Sequence, residues 1–253
     1  MAPLSVVIIC KNNKNVLERT LHSLQGLTDD VLVYDNGSTD NSPTLARDAG
    51  ARVVEGDWLG FGPTKNKANS LAKYDWILSL DADEAIDDDL FNSLKQLDYE
   101  KRGVVYDLRF KNYVGDQWLR YGDWGSDHHI RLFHRAEVKW NDAAVHEQLL
   151  IPAGTIIGKL TGAVLHRTTE STTEYRKKVE GYARMSAHKY FEQGKKPTWV
   201  KLYLSPVFTF IRDYIFKRGF LDGATGYQIA MITAWYTRRK YIELAKLRSG
   251  QNQ

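Results

Sequence analysis

Trp76-Ile77-Leu78-Ser79-Leu80-Asp81-Ala82-Asp83-Glu84 decides the fold of this chain. A largely apolar strand runs straight into three acidic residues, so carboxylates sit at its carboxyl end. Open α/β sheets take their ligands in the crevice outside that edge. Two carboxylates one residue apart in a crevice repel each other unless a cation lies between them. Mg²⁺ and Mn²⁺ accept oxygen ligands of this kind and share them with substrate phosphates. The stretch therefore suggests a metal-bridged diphosphate, whereas a short Asp-x-Asp without such a strand is more commonly a solvated turn.

Working outward, the flanking sequence alternates strands and helices. Ser5 to Cys10 is an apolar, β-branched run that reads as a central parallel strand. A polar turn follows, with Asn15 as N-cap of a helix carrying Val16, Leu17, Thr20, Leu21 and Leu24 at helical spacing. Val31 to Tyr34 is a second strand, Pro43 to Ala49 a helix closed by Gly50, and Ala51 to Glu55 a third strand. Lys65 to Lys73 reads as the helix before the strand at Trp76. This alternation implies a parallel sheet with right-handed crossovers. Beyond Asp83 the pattern changes to a helix over Asp87 to Leu97 and strands over Val104 to Tyr113 and Ile130 to Arg135. From Thr172 onward three helices are expected, over Glu174 to Gln193, Trp199 to Phe216 and Phe220 to Leu247. The expected class is α/β, with a mostly parallel central sheet in a catalytic domain over 1–166 and a helical C-terminal region over 167–253.

Composition fits that frame. With 253 residues, 43% of them hydrophobic, the chain can bury a substantial core. Its single cysteine, Cys10, lies in an apolar strand, which excludes a disulfide framework and favours a reducing, cytoplasmic setting. The first residues lack a basic segment and a cleavage site and read as a strand instead of a signal peptide. No apolar run reaches the roughly 18 residues of a spanning helix. Charge is uneven: Arg167 to Gln253 carries 17 basic against 7 acidic residues and 15 of the 30 aromatic ones. The rest carries 18 basic against 24 acidic residues. A basic, aromatic tail on an acidic half points to a negatively charged surface as partner, or to an ordinary basic helical face.

Asp35-Asn36-Gly37-Ser38-Thr39-Asp40 is the second signal. A strand-ending carboxylate beside small polar groups can accept hydrogen bonds from a nucleobase imide or a ribose hydroxyl. The same string fits an Asn-Gly turn followed by a helix cap.

Val6-Val7-Ile8-Ile9, Val33 to Asp40 and Trp76 to Glu84 together resemble, in order and spacing, the opening motifs of family 2 glycosyltransferases. These motifs cover about the first third of the chain. The resemblance implies a GT-A nucleotide-binding fold and a nucleotide-sugar donor, with Asp35 near the base, Asn36 beside it and Asp81 near the ribose. It further implies Asp83 as ligand of a Mg²⁺ or Mn²⁺ ion on the diphosphate, with Lys65 and Asn66 as the basic and amide pair beside the donor, unless they merely open a solvated helix. Tyr121-Gly122-Asp123-Trp124, Arg131-Leu132-Phe133, Val145-His146-Glu147, Leu165-His166 and Gly219 to Gly223 resemble members that build lipopolysaccharide, above all the core β-1,4-glucosyltransferases. That implies UDP-glucose as donor, with galactose or an amino sugar also compatible, and a glycolipid acceptor such as an inner-core heptose. The Gln-x-x-Arg-Trp string of processive synthases is absent, so a long polymer is not expected.

An inverting transfer needs a carboxylate to take the acceptor hydroxyl's proton. Glu147 is the first candidate and Asp127 the second; the alternative for Glu147 is an ion pair with Arg131 or Arg135. Among His128, His129, His134, His146 and His166, the resemblance makes His166 an additional metal or diphosphate ligand and His146 a second candidate, while spacing excludes a zinc site. In the tail, Val207, Phe208, Phe210, Ile211, Tyr214, Ile215 and Phe216 form an apolar face beside Arg212, Lys217 and Arg218. Such a helix suits an anionic membrane surface, peripherally at the inner face of the bacterial cytoplasmic membrane, or packs in a helical bundle. A nucleic-acid-binding module is disfavoured by the acidic N-terminal half and by the lack of a reading motif. An inactive glycan-binding protein is disfavoured by the intact acids. A nucleotidyltransferase is disfavoured by Lys11-Asn12-Asn13-Lys14-Asn15, which holds no glycine.

Overall fold

The computed structural model describes residues 1–142 and 147–250. They form two compact units, Met1–Phe110 with His128–His166 and Lys111–Asp127 with the residues from Arg167.

The first unit opens with β1 (Ser5–Cys10), α1 (Lys14–Ser23), β2 (Val31–Asp35), α2 (Ser42–Asp48), β3 (Arg52–Glu55), α3 (Phe61–Ser70) and β4 (Trp76–Asp81). These strands pair in parallel in the order β3-β2-β1-β4, as the alternation of the sequence requires. Register sets the level of the loops: Cys10 pairs with Asp35 and Ile9 with Asp81. The loops after β1, β2 and β4 therefore leave the sheet together. Two boundaries differ from the sequence reading. Helix α1 starts at Lys14 after Asn13, not after Asn15: the Asn13 carbonyl accepts from Val16 N and Leu17 N at 3.0 Å, while its side chain turns back to accept from Lys11 N at 2.9 Å. Helix α3 starts at Phe61, a full turn before Lys65, after Gly60 at φ +96°.

The unit continues with β5 (Glu84–Ile86), α4 (Asp88–Lys95) and β6 (Val104–Val114), whose last residues run into the second unit. After the short β7 (Gln117–Trp118) of the second unit come β8 (His128–His134), β9 (Lys139–Trp140), β10 (Leu149–Leu150), β11 (Ile156–Lys159) and β12 (Val164–Thr169), the last of which continues into the second unit from Arg167. β8 lies antiparallel between β4 and β6, with Ile77 opposite Phe133 and Tyr106 opposite Leu132. The N-terminal half of the sheet is thus parallel and its extension mixed. Leu4, Ile8, Leu17, Leu24, Leu78 and Phe110 are fully buried in the core.

Lys111–Asp127 falls with the second unit although it lies within the 1–166 span expected as the catalytic domain. This unit holds α5 (Thr172–Glu192), α6 (Ser205–Ile211) and α7 (Gly223–Arg248). The single helix expected over Trp199 to Phe216 is instead α6 between two wide π-helical turns, Val200–Leu204 and Arg212–Phe216. Pro206 cannot donate its missing N–H into the preceding turn, and Lys217 N reaches back five residues to Arg212 O at 2.8 Å. Pro206, Thr209 and Asp213 form the buried face of this segment, while Leu204, Val207, Phe208, Ile211 and Ile215 lie exposed on the opposite one. Two of the motifs that carried the resemblance meet here. Asp222 accepts from Arg120 N and Tyr121 N at 3.2 and 2.9 Å, and Gly226 packs so closely that a Cβ would come within 2.0 Å of Gly219 O.

Asp30 ties the start of the sheet together. Its carboxylate accepts from Ser5 Oγ at 2.5 Å, Lys73 N at 2.7 Å and Arg52 Nη2 at 2.9 Å, with only 4% of the residue exposed. Burial pushes this carboxyl up, but the Ser5, Lys73 and Arg52 bonds outweigh it and the net shift is downward. A depressed folded-state pKa adds stability above the unfolded value, about 3.9, and that stability is lost as pH falls through the folded value. Asp30→Asn should lower unfolding free energy by about 2 kcal/mol at pH 7 in urea titrations. Acidification below about pH 4 should then cost the variant less than the parent, which equal acid sensitivity would contradict.

Candidate functional site

Three loops at the carboxyl edge of the sheet build the site. The loop after β4 is held from below by α1: Thr20 Oγ1 donates to Ala82 O at 2.9 Å and Ile86 N donates to Ser23 Oγ at 3.1 Å. Glu84 folds back inside it, accepting from Asp81 N at 2.9 Å, and is 1% exposed. The loops after β1 and β2 are tied to each other by Asn12, which sits at φ +55° and accepts from Thr39 N at 2.7 Å.

A chain of alternating charges runs through the site. Arg131 of β8 donates to Asp81 Oδ2 at 3.0 Å and also to Glu84. Lys65 of α3 stands 3.1 Å from Asp81 Oδ1 and 2.9 Å from Glu147 Oε1, with its ammonium 4.7 Å above the Trp140 ring. The order is Glu84, Arg131, Asp81, Lys65, Glu147. Burial raises the Asp81 carboxyl, but the charges of Lys65 and Arg131 outweigh it and hold the group far below the usual carboxylate range. Glu84 goes the other way, because burial and the nearby Asp81 charge outweigh the Arg131 charge. Asp81 is therefore ionised throughout the neutral range, with about a third of its side chain exposed.

The sequence candidates fare differently. Lys65 and Glu147 come together with Asp81, and Lys65 is 2% exposed, so the solvated helix start does not occur. Glu147 pairs with neither Arg131 nor Arg135: its partner is Lys65, while Arg135 bonds Asp75 at 2.9 Å. Asn66 pairs both ways with the Trp140 backbone, at 2.9 and 2.8 Å, and so holds the strand carrying that ring. Asp35 and Asn36 turn inward. The Asp35 carboxylate accepts from Gly37 N, Ser38 N and Ser38 Oγ, and the Asn36 amide donates to Gly56 O and Asp57 O at 3.2 Å each. Asp83 Oδ2 lies 3.6 Å from His166 Nε2, with about a quarter of each side chain exposed. Burial lowers the His166 pKa, but the hydrogen bond and charge of Asp83 more than offset it and the net shift is upward. Asp127 belongs to the second unit, where it accepts from Asn112 Nδ2 at 2.9 Å. His146 lies outside the described residues. Of the other histidines, His134 is 2% exposed with its pKa lowered by burial, and is structural.

Sequence reasoning gave Trp140 no role, counted Glu84 only among the strand-ending acids, and considered Arg131 only as a partner for Glu147. Arg131 stood within an expected strand and in a family-like string, but nothing local tied it to the acids; the antiparallel register of β8 on β4 brings it to Asp81. Among the described residues no three His, Cys, Asp or Glu side chains form a ready-made metal cage. Asp81 and Asp83 line a cleft of about 350 Å³ shared with Asn36, Trp58 and Phe61. This arrangement presents two acidic side chains to an open cleft, one of them 3.1 Å from the buried Lys65 ammonium, which suits an anionic ligand bound through a cation.

Comparison with known proteins identifies the family. Residues 5–149 match the family model described as glycosyl transferase family 2. An uncharacterised glycosyltransferase of Rickettsia typhi is 28% identical over 98% of this chain and 87% of its own. The lipopolysaccharide core biosynthesis glycosyltransferase LpsC of Rhizobium meliloti is 28% identical over 92% of this chain and 90% of its own. Among solved structures, Staphylococcus aureus TarS 1–349 superposes with a TM-score of 0.47 at 17% identity, covering 98% of this chain and 92% of that one. With the family model spanning the parallel strands, both acidic loops and Glu147, the chain belongs to glycosyl transferase family 2 and is a glycosyltransferase of the GT-A fold.

Proposed function

We propose that the chain transfers a hexose, glucose in our reading, from a nucleotide-diphosphate sugar such as UDP-glucose to a glycolipid such as the lipopolysaccharide inner core, with inversion at the anomeric carbon. One observation carries this reading: Lys65 joins Asp81 at the end of β4 to Glu147, so the donor-side acid and the candidate base share one cation. The name and full-length likeness of the Rhizobium meliloti relative support the lipopolysaccharide acceptor.

Each residue then has a task. Asp81, whose oxygens are engaged by Lys65 and Arg131, keeps exposed surface for a ribose hydroxyl. Asp83 with His166 fits a hard divalent ion, Mg²⁺ or Mn²⁺, which binds through one or two carboxylates plus substrate phosphates and needs no closed protein cage. When bound there, such an ion neutralises charge on the departing diphosphate. Lys65, 3.1 Å from Asp81, adds a fixed positive charge beside the same acids. Asp35 and Asn36 shape the nucleotide end of the cleft through their loop bonds. Glu147 takes the proton of the acceptor hydroxyl; it is preferred to Asp127 because it belongs to the chain of charges that contains Asp81. Glu147→Gln should keep nucleotide affinity within about twofold and lower transfer by about 10²–10⁴-fold. Transfer at the parental rate would instead assign the base to another group.

The region 167–253 we assign to the acceptor's membrane surface, at the cytoplasmic face of the inner membrane. No helix among the described residues is long and apolar enough to cross a membrane. Support comes from the outward row of Leu204, Val207, Phe208, Ile211 and Ile215, extended by Phe216 at 75% exposed. The charge beside it is smaller than the sequence suggested. Arg212 is held by Asp213 and Lys217 by Asp123, so apolar insertion carries most of the attraction. Vesicles containing anionic lipid should float the protein, and Phe208→Ser with Phe216→Ser should abolish flotation at low salt. Flotation unchanged in that double variant would place the contact elsewhere.

A further inference from the structure

The cleft that holds Asp81 and Asp83 also carries two exposed aromatic side chains, Trp58 and Phe61, 46% and 39% exposed. Large apolar rings left open in a ligand cleft are a cost unless something covers them. They stand edge to face with ring centroids 4.7 Å apart. Among the described residues lining this cleft they are the only aromatic ones. The loop after β1, Lys11-Asn12-Asn13, contributes none.

The segment bearing Trp58 is rigidly built. Gly56 N donates to Asp35 O at 2.9 Å, and the Asn36 amide clamps Gly56 O and Asp57 O. Gly56 lies so close to Tyr34 that a Cβ would stand 2.0 Å from the phenol oxygen. On the far side, Leu59 N donates to Thr64 Oγ1 at 3.0 Å, fixing the entry to α3. The Asp35 backbone carbonyl and the Asn36 amide N–H thus pose this segment. What the segment offers the cleft is a flat ring, fixed before any ligand arrives.

We propose that Trp58, braced by Phe61, is the stacking platform for the nucleobase of the donor. This deepens the donor reading above and rests on it. A planar base has two π-faces to cover, whereas the diphosphate end needs cations and carboxylates, and one cleft of about 350 Å³ supplies both kinds of surface. That size falls in the ordinary range of ligand clefts, roughly 300–1,000 Å³. Stacking is tolerant of base identity, because every base has a π-face. Specificity between bases therefore does not come from Trp58, and its loss weakens nucleotides in general.

The test is calorimetric titration of the full chain with UMP, UDP, UDP-glucose and inorganic pyrophosphate in Mn²⁺. Trp58→Ala should weaken UMP and UDP by roughly tenfold, the scale of one base–aromatic stack. Trp58→Phe should recover most of that loss, and pyrophosphate should bind all three proteins alike. Equal weakening of pyrophosphate would show that the substitution collapses the segment and would overturn the assignment. Loss for UDP-glucose with UMP and UDP unchanged would give the ring to the hexose and overturn it equally. If the parent protein binds pyrophosphate but neither UMP nor UDP, the donor reading itself falls, and the platform with it.

Discussion

Arg131 between Asp81 and Glu84 is the interaction on which the first unit's site depends. A strand ending in acids can deliver them to a sheet edge only if something answers their charge. Burying a carboxylate without a partner costs several kcal/mol, more than a few hydrogen bonds restore. Arg131 answers it from the neighbouring antiparallel strand, and Lys65 from the helix before. The pairing leaves Glu84 inside as a brace of the loop and Asp81 partly open to the cleft. Structure and chemistry share these groups: what keeps the loop folded also keeps Asp81 ionised.

The same economy governs the other loops. Asp35 and Asn36 look like ligand contacts in a linear reading, and in the fold the Asp35 carboxylate and the Asn36 amide N–H also hold the backbone of two loops. Lys65 serves two carboxylates at once, so a change at either one is felt by the other. In the second unit, Asp222 takes the role that Arg131 has in the first. It bonds the backbone at Arg120 and Tyr121 and so fastens the turn between the π-helical segment and α7. The family-like strings around Tyr121 and Gly219 thereby have a structural role of their own.

The sequence made the parallel half of the fold legible, because β-branched apolar runs alternating with helical spacing permit little else. It offered Asp81, Asp83, Lys65 and Glu147 as candidates through motif order, but not the bond from Lys65 to Glu147, which spans 82 residues. The pairing of Arg131 with Asp81 and Glu84 was not legible because it is set by register, a property of two strands and not of one. The tail's apolar face was legible and its electrostatics were not. Arg212 and Lys217 counted as open cations until the fold placed Asp213 and Asp123 beside them. The broken helix around Pro206 had a local cause, a missing N–H, that periodicity alone overlooked.

The central claim is that the acids after β4 take a divalent cation together with the donor's diphosphate. Calorimetric titration of UDP into the parent protein and Asp83→Ala, with and without Mn²⁺, tests it most directly. The account predicts that Mn²⁺ tightens UDP binding to the parent by at least about tenfold, some 1.4 kcal/mol, and does nothing for the variant. Equal UDP affinity with and without the metal, in both proteins, would contradict it.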